Sequence, residues 1–191
     1  MTRRTNATVA GFTFLFYIAA GITSLVLFGR ATGGEGIAAE LAGIAQHATE
    51  VGVTVVLDLL QCFSALVLGV TLYAITRAQD PDLAMLGLTC RVIEAVPGHG
   101  EIYFAVGSTL FSWLLLRGRM IPVALAWLGV MASVLLVLLL PLQIAGFFGG
   151  PRAWSSPVTW AVWLPLLVFE LTLAVWLITK GVATPAQRQS A

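Results

Sequence analysis

Five ionisable side chains lie within otherwise apolar stretches of this sequence, and their residue types are those that perform acid–base chemistry. They are Asp58, Arg91, Glu94, Glu101 and Glu170. A charge at the depth of a membrane is costly unless it is paired or faces a polar cavity, so an ionisable residue there is by default a functional candidate. Carboxyl groups beside one arginine can provide a general acid and a general base, because each group's surroundings decide whether it holds its proton.

Such a pair can activate water, open an epoxide or move a double bond, and aromatic faces nearby can stabilise a cationic intermediate. The catalytic candidates are Asp58 and Glu94 as acid and base, Arg91 as the orienting charge partner, and Glu170 as a second acid. The candidates for contacts with a substrate are Tyr17, Gln61, His99, Glu101, Gln143 and Trp163. Two distant histidines and scattered acids lack the spacing of a zinc site, so no metal is predicted, and no cofactor motif is present.

A purely structural role explains the same residues without chemistry. Arg91 and Glu94 are three residues apart, so they can pair on one helix, and such a buried pair can simply hold helices together. Asp58 and Glu170 can each cap a neighbouring amide or accept a hydrogen bond from Arg91, and Glu101 can lie at a solvated helix N terminus, where acids are favoured. The sequence therefore leaves open a membrane enzyme, a non-catalytic binding or accessory protein, and a small-solute or proton-coupled transporter.

The composition excludes an ordinary soluble protein. The 191 residues are 59% hydrophobic and 10% charged, with a mean hydropathy of +0.94, whereas soluble domains are roughly 45–50% apolar and about 25% charged. The length suits a single domain over residues 1–191. A net charge of +1 without a basic run argues against nucleic acid as a partner. The expected partners are the lipid bilayer and a lipophilic small molecule, and the oligomeric state is open.

The hydropathy pattern predicts six membrane-spanning helices, because a span needs about 20 apolar residues, with a range of roughly 17–25. The predicted spans are residues 8–28, 51–76, 83–96, 101–116, 122–148 and 158–179. The segment PGHG at residues 97–100 divides the apolar stretch 83–116, which as one helix would be about 51 Å long. Residues 36–49 are predicted to include a short interfacial helix. The predicted fold class is an all-α polytopic transmembrane bundle.

The distribution of basic residues predicts the orientation of this bundle. With six spans, one side receives Arg3, Arg4, Arg77, Arg117, Arg119, Lys180 and Arg188, and the other receives only Arg30 and Arg152. Because basic loops stay in the cytoplasm, both termini are predicted to be cytoplasmic. Trp154, Trp160 and Trp163 then flank the outer boundary, as aromatic belts do. The buried charges fall in the outer half of the bundle, where they are expected to converge.

Several segments together carry a family pattern. The most specific is FELTLAVWLITKG at residues 169–181, and the others are TVAGF at 8–12, CRVIEA at 90–95, LLLRGRMIP at 114–122 and WLG at 127–129. These segments resemble an uncharacterised family of bacterial six-helix membrane proteins known only as a domain of unknown function. The resemblance implies a six-helix bundle in the bacterial cytoplasmic membrane, and it implies no activity.

The resemblance also implies that Arg91, Glu94, Glu170 and Lys180 belong to the family pattern. The chain departs from that pattern at the short connection 97–100, and at Gly118, where a serine is commoner. A short connection on the outer side can open the mouth of a cavity, or it can simply be a tighter turn.

Overall fold

The computed structural model describes residues 2–34, 36–96, 100–149 and 156–183, and the elements in these segments are all helices. The α-helices are α1 (Arg3–Ala31), α2 (Ile37–Gln46), α3 (Ala48–Thr76), α4 (Pro81–Glu94), α5 (Gly100–Arg117), α6 (Val123–Ile144) and α7 (Pro157–Thr179). Of the described helices, α1, α3, α6 and α7 are long and apolar enough to cross a membrane. The predicted all-α fold is therefore confirmed for the described residues, and these four helices have the length and composition of membrane-spanning helices.

The six larger helices pack into a closed ring in which each helix contacts the next one along the chain. α1 contacts α3, α3 contacts α4, and the series continues through α5 and α6 to α7, which packs back against α1. The short helix α2 contacts α1 and α3 at the side of the ring. Phe14, Leu72, Phe111 and Leu173 are among the large side chains in the core. Many large apolar side chains on the outside are exposed, as expected for a surface that contacts lipid.

Glycines allow the closest approaches between neighbouring helices of the ring. At Gly11 of α1, a Cβ atom would lie 2.6 Å from Ile178 Cγ1 and 2.7 Å from the carbonyl oxygen of Ala174, both in α7. At Gly129 of α6, a Cβ atom would overlap the ring of Phe169 in α7. Small residues are common at such contacts because close packing of helices drives their association in a membrane.

Two arginines near the N terminus connect α1 to α3 and to α7 by hydrogen bonds. Arg3 donates from Nη2 to the carbonyl oxygen of Ile75 at 3.1 Å, and Arg4 donates from Nη2 to those of Ile178 and Thr179 at 2.9 and 3.1 Å. These cations satisfy carbonyl groups at the C-terminal ends of α3 and α7, where positive charge is favourable. We call this end of the ring the basic end, defined by Arg3, Arg4, Arg77, Arg117, Arg119 and Lys180, and the other end the opposite end.

The predicted third span, residues 83–96, differs from α4 at both ends. The helix begins at Pro81, because Asp80 caps it by accepting a hydrogen bond from the backbone N–H of Leu83 at 3.1 Å, and proline is favoured in the first turn. The helix ends at Glu94. Because α5 begins at Gly100, the predicted division of the long apolar stretch is confirmed.

The predicted fifth span, residues 122–148, is too long at its C-terminal end. α6 ends at Ile144, and Gly146 has a φ of 92°. Glycine adopts this left-handed conformation without steric cost, and helices commonly end there. A short 3₁₀ turn, Phe147–Gly149, follows. The short helix predicted within residues 36–49 is confirmed as α2.

Candidate functional site

A buried arginine lies within the ring, in the last turn of α4. Only 1% of the Arg91 surface is exposed. Its Nη1 donates to the two carboxylate oxygens of Glu94 at 3.0 and 3.3 Å, and its Nη2 donates to the hydroxyl oxygen of Ser108 in α5 at 2.9 Å. The guanidinium carbon lies 4.9 Å from the centre of the Phe104 ring, which adds a cation–π interaction. Arg91 therefore links α4 to α5.

The partner of this arginine is the last residue of α4. The Glu94 side chain is 7% exposed, and the two residues use the i, i+3 spacing that the sequence predicted for a direct pair. The hydroxyl group of Tyr17 in α1 also donates to Glu94 Oε1, at 2.8 Å. A buried ion pair is tolerated when further hydrogen bonds satisfy its remaining atoms. The pair thus connects α1, α4 and α5.

Three aromatic rings form a row beside this pair. The rings of Tyr17 and Phe104 have centres 6.3 Å apart with planes at 11°, and those of Phe104 and Trp163 have centres 6.1 Å apart with planes at 18°. The row runs from α1 through α5 to α7. Trp163 Nε1 is buried and has no hydrogen-bond partner among the described residues. The row therefore ends at an indole N–H group that makes no hydrogen bond to the described residues.

A second buried carboxyl group approaches the same arginine from α7. Glu170 is 5% exposed, and it lines a cavity of about 10 Å³ together with Arg91, Ser108 and Ser112. Within the described segments, no hydrogen bond or ion pair joins the Glu170 carboxyl group to another residue. Arg91 thus has one carboxylate that is paired with it and one carboxyl group nearby that is not. Glu170 is seven residues from Trp163, a spacing that places the two side chains on the same side of α7.

Asp58 lies apart from this cluster. Its side chain is exposed on α3, and it accepts a hydrogen bond from the Ser24 hydroxyl group of α1 at 2.7 Å. Arg91 packs instead against Gly69 of α3, with the Arg91 Cβ 2.9 Å from where a Gly69 Cβ would lie. Eleven residues separate Gly69 from Asp58, which is about 16 Å along a helix. The structure therefore brings Arg91, Glu94 and Glu170 together, and it does not bring Asp58 to them.

The two glutamines among the candidates lie at helix contacts. Gln61 of α3 donates to the carbonyl oxygen of Tyr17 in α1 at 3.5 Å. Gln143 of α6 is fully buried and donates to the Thr159 hydroxyl group of α7 at 3.3 Å, while its Oε1 has no partner among the described residues. Gln61 therefore lies beside the aromatic row, whereas Gln143 joins α6 to α7 near their connection.

The remaining candidates are near the start of α5. Glu101 is partly buried in the first turn, and His99 lies outside the described residues. Sequence reasoning missed Phe104, which contacts Arg91 and the other two rings. The available signal was its spacing of four residues from Ser108, which places both on one face of a helix. No group of three or more His, Cys, Asp or Glu side chains in the described segments is placed to hold a metal ion.

The comparison with protein families covers nearly the whole chain. A model described as "Domain of unknown function (DUF4386)" matches residues 9–99 and 98–181. The chain belongs to this family. The two matched stretches meet between α4 and α5, and they include Arg91, Glu94 and Glu170. The comparisons with curated proteins and with solved structures gave no match.

Proposed function

We propose that this protein is a membrane-embedded enzyme that acts on a lipophilic small molecule by acid–base chemistry. The observation that carries the proposal is the unequal pairing of two buried carboxyl groups near Arg91. Glu94 accepts hydrogen bonds from Arg91 and Tyr17, whereas Glu170 accepts none from the described residues. Burying an unpaired charge costs far more than burying a neutral group, so Glu170 is suited to carry a proton and Glu94 to accept one.

The proposed reaction is redox-neutral and needs no cofactor. Cyclisation, isomerisation or hydration of an alkene or epoxide, in an isoprenoid, polyketide or lipid, fits an acid and a base in an apolar site. Each of these reactions can pass through a cationic intermediate, and the faces of Tyr17, Phe104 and Trp163 lie where they would stabilise one. Asp58 is proposed as a residue of the entrance rather than of the reacting site.

The short length of α4 supports entry from the opposite end. α4 has 14 residues, about 21 Å, whereas α1 and α3 each have 29 residues, about 44 Å. Because α4 ends at Glu94, α3, which packs against it, extends beyond this carboxylate. The cavity of about 10 Å³ has room for about one water molecule. We therefore propose that a substrate reaches Glu94 from the opposite end and displaces the aromatic row.

The small size of this cavity also favours a second candidate, a non-catalytic binding or accessory protein. In that case the role of Arg91 is to stabilise the ring of helices. It connects α4 to α5 directly, and it connects α4 to α1 through Glu94 and Tyr17. The ion pair would then contribute only to the specificity of packing. The two candidates differ in whether neutralising Glu170 changes any small molecule in the membrane.

Mass spectrometry of small molecules extracted from the purified protein tests the enzyme proposal. We expect a specific lipophilic compound to accumulate or to change structure in Glu170→Gln relative to wild type. Glu40→Gln makes the same change on the exposed surface of α2 and should match wild type. If all three preparations contain the same bulk lipids, the enzyme proposal is wrong and the second candidate is favoured.

We also propose that all six helices of the ring span a bacterial cytoplasmic membrane, with both termini in the cytoplasm. The clustering of arginine and lysine at the basic end supports this orientation. α4 and α5 have 14 and 18 residues, about 21 and 27 Å, so α5 is slightly shorter than a hydrocarbon core of about 30 Å and α4 is about 9 Å shorter. The alternative is that α4 and α5 form a re-entrant hairpin.

Labelling of single cysteines distinguishes these topologies. In a Cys62→Ala, Cys90→Ala background, a membrane-impermeant maleimide added from outside should label Val96→Cys at the end of α4. It should also label Ala45→Cys on α2, and it should not label Ala78→Cys at the basic end. All three positions are exposed. Labelling at residue 45 without labelling at residue 96 would indicate a re-entrant hairpin and contradict six spans.

A further inference from the structure

The cavity beside Glu170 is lined by more polar atoms than the described residues satisfy with hydrogen bonds. Its polar lining consists of Arg91, Ser108, Ser112 and Glu170. Arg91 Nε is buried without a hydrogen-bond partner among the described residues. Within the same segments, neither the Ser112 hydroxyl group nor the Glu170 carboxyl group has a hydrogen-bond partner. Ser112 and Glu170 are 2% and 5% exposed, so all three groups are withdrawn from bulk solvent.

Buried polar groups in proteins are nearly always hydrogen-bonded, so three such groups around one cavity need a common explanation. An internal water molecule occupies about one probe sphere, roughly 10–15 Å³, and it makes two to four hydrogen bonds. The cavity measures about 10 Å³, and its lining supplies a donor at Arg91 and groups that donate or accept at Ser112 and Glu170. Both its size and its chemistry therefore match one water molecule.

We propose that this cavity binds one water molecule between Arg91 Nε, Ser112 Oγ and the Glu170 carboxyl group, and that this water is the second reactant. The inference rests on the proposed function and narrows it, because the reaction becomes the hydration of a lipophilic alkene. Isomerisation or cyclisation consumes no water. Hydration consumes one water molecule in each turnover, and this cavity supplies it next to the proposed acid.

The atoms balance without an oxidant or a reductant. The Glu170 carboxyl group gives its proton to one alkene carbon, so the π bond breaks and a C–H bond forms. The oxygen of the bound water bonds to the other, cationic carbon. One O–H bond of that water then breaks, and its proton returns to the Glu170 carboxylate. The product is an alcohol, and the enzyme is restored. In this narrower reaction Glu170 is both the acid and the base. Glu94 acts through Arg91, because it holds the guanidinium at Nη1 while Nε orients the water.

Infrared difference spectroscopy of the protein in lipid nanodiscs tests the water site independently of activity. The Glu170 band is identified as the carboxyl band that Glu170→Gln removes and Glu40→Gln keeps. Ser112→Val removes a hydroxyl group and fills the cavity, so we expect the Glu170 band to move to a frequency typical of a carboxyl group without hydrogen bonds. Ser112→Ala is the milder variant if valine prevents folding, and it should shift the band in the same direction.

The matched control is Ser133→Ala in α6, because Ser133 is buried but donates to the carbonyl oxygen of Gly129 in its own helix. This control should leave the Glu170 band in place. An identical band in wild type, Ser112→Ala and Ser112→Val would overturn the water site. This result can be distinguished from failure of the proposed function. The proposed function fails if mass spectrometry finds the same small molecules in Glu170→Gln and in wild type.

Turnover in water enriched in ¹⁸O tests the role of this water as a reactant. Once the compound that accumulates in Glu170→Gln is known, the wild-type protein should convert it to a product heavier by one labelled water. A product of unchanged mass would overturn hydration in favour of isomerisation or cyclisation. If Ser112→Val forms the labelled product at least tenfold more slowly than Ser133→Ala does, this result supports the water in the cavity as the source of the oxygen.

Discussion

Replacing Arg91 by methionine is expected to lower the free energy of unfolding by about 3–5 kcal/mol, because it leaves a buried carboxylate without its partner. Methionine keeps an unbranched apolar stem like that of arginine, but it is shorter and carries no charge. The Glu94 carboxylate would keep only the hydrogen bond from Tyr17, and Ser108 would lose the donor at 2.9 Å. Thermal or detergent-induced unfolding of the purified protein measures the loss.

A matched control for this loss is Arg117→Met at the basic end. Arg117 pairs with Asp80 at 3.3 Å, but the two side chains are 54% and 28% exposed, and such pairs contribute about 0–1 kcal/mol. Arg91→Met combined with Glu94→Gln should recover part of the loss, because it removes both charges of the buried pair. If Arg91→Met is no less stable than Arg117→Met, the ion pair is not buried as the structure places it.

The helices were predictable because their apolar lengths and their end signals agree. Asp80 before Pro81 and Ser156 before Pro157 mark the starts of α4 and α7, and in both cases the side chain caps the helix. The end of α6 was less predictable, since the apolar run continues past Gly146 although the backbone there is left-handed. The predicted starts at residues 8, 51 and 83 are also later than those of α1, α3 and α4, so hydropathy located the helices more reliably than their ends.

The site was predictable only where its contacts stay within one helix. The pair of Arg91 and Glu94 follows from a spacing of three residues, whereas the hydrogen bond from Tyr17 joins residues 77 positions apart. Packing between helices decides which helices are neighbours and which of their turns lie at the same depth. This packing cannot be read from spacing within one helix. For this reason Asp58 was grouped with Arg91, although it faces Ser24.

Glu170→Gln is expected to separate catalysis from stability. Because Glu170 has no hydrogen bond or ion pair with the described residues, its neutral amide should leave the free energy of unfolding within about 1 kcal/mol of wild type, as for changes that break no specific interaction. Loss of a positioned acid should lower turnover by about 10²–10⁴-fold. The measurements are unfolding of the purified protein and quantification of the product by mass spectrometry.

Glu94→Gln provides the contrast that decides between the two candidate functions. It removes the negative charge that pairs with Arg91 at 3.0 Å, so it should lower both turnover and stability, the latter by up to about 3–5 kcal/mol. If the protein is not an enzyme and the ion pair is only structural, Glu94→Gln would still lower the free energy of unfolding. Glu170→Gln would then change neither the stability nor the small molecules detected by mass spectrometry. If Glu170→Gln instead loses as much stability as Glu94→Gln, both carboxyl groups serve as partners of Arg91, and the unequal pairing on which the enzyme proposal depends does not exist.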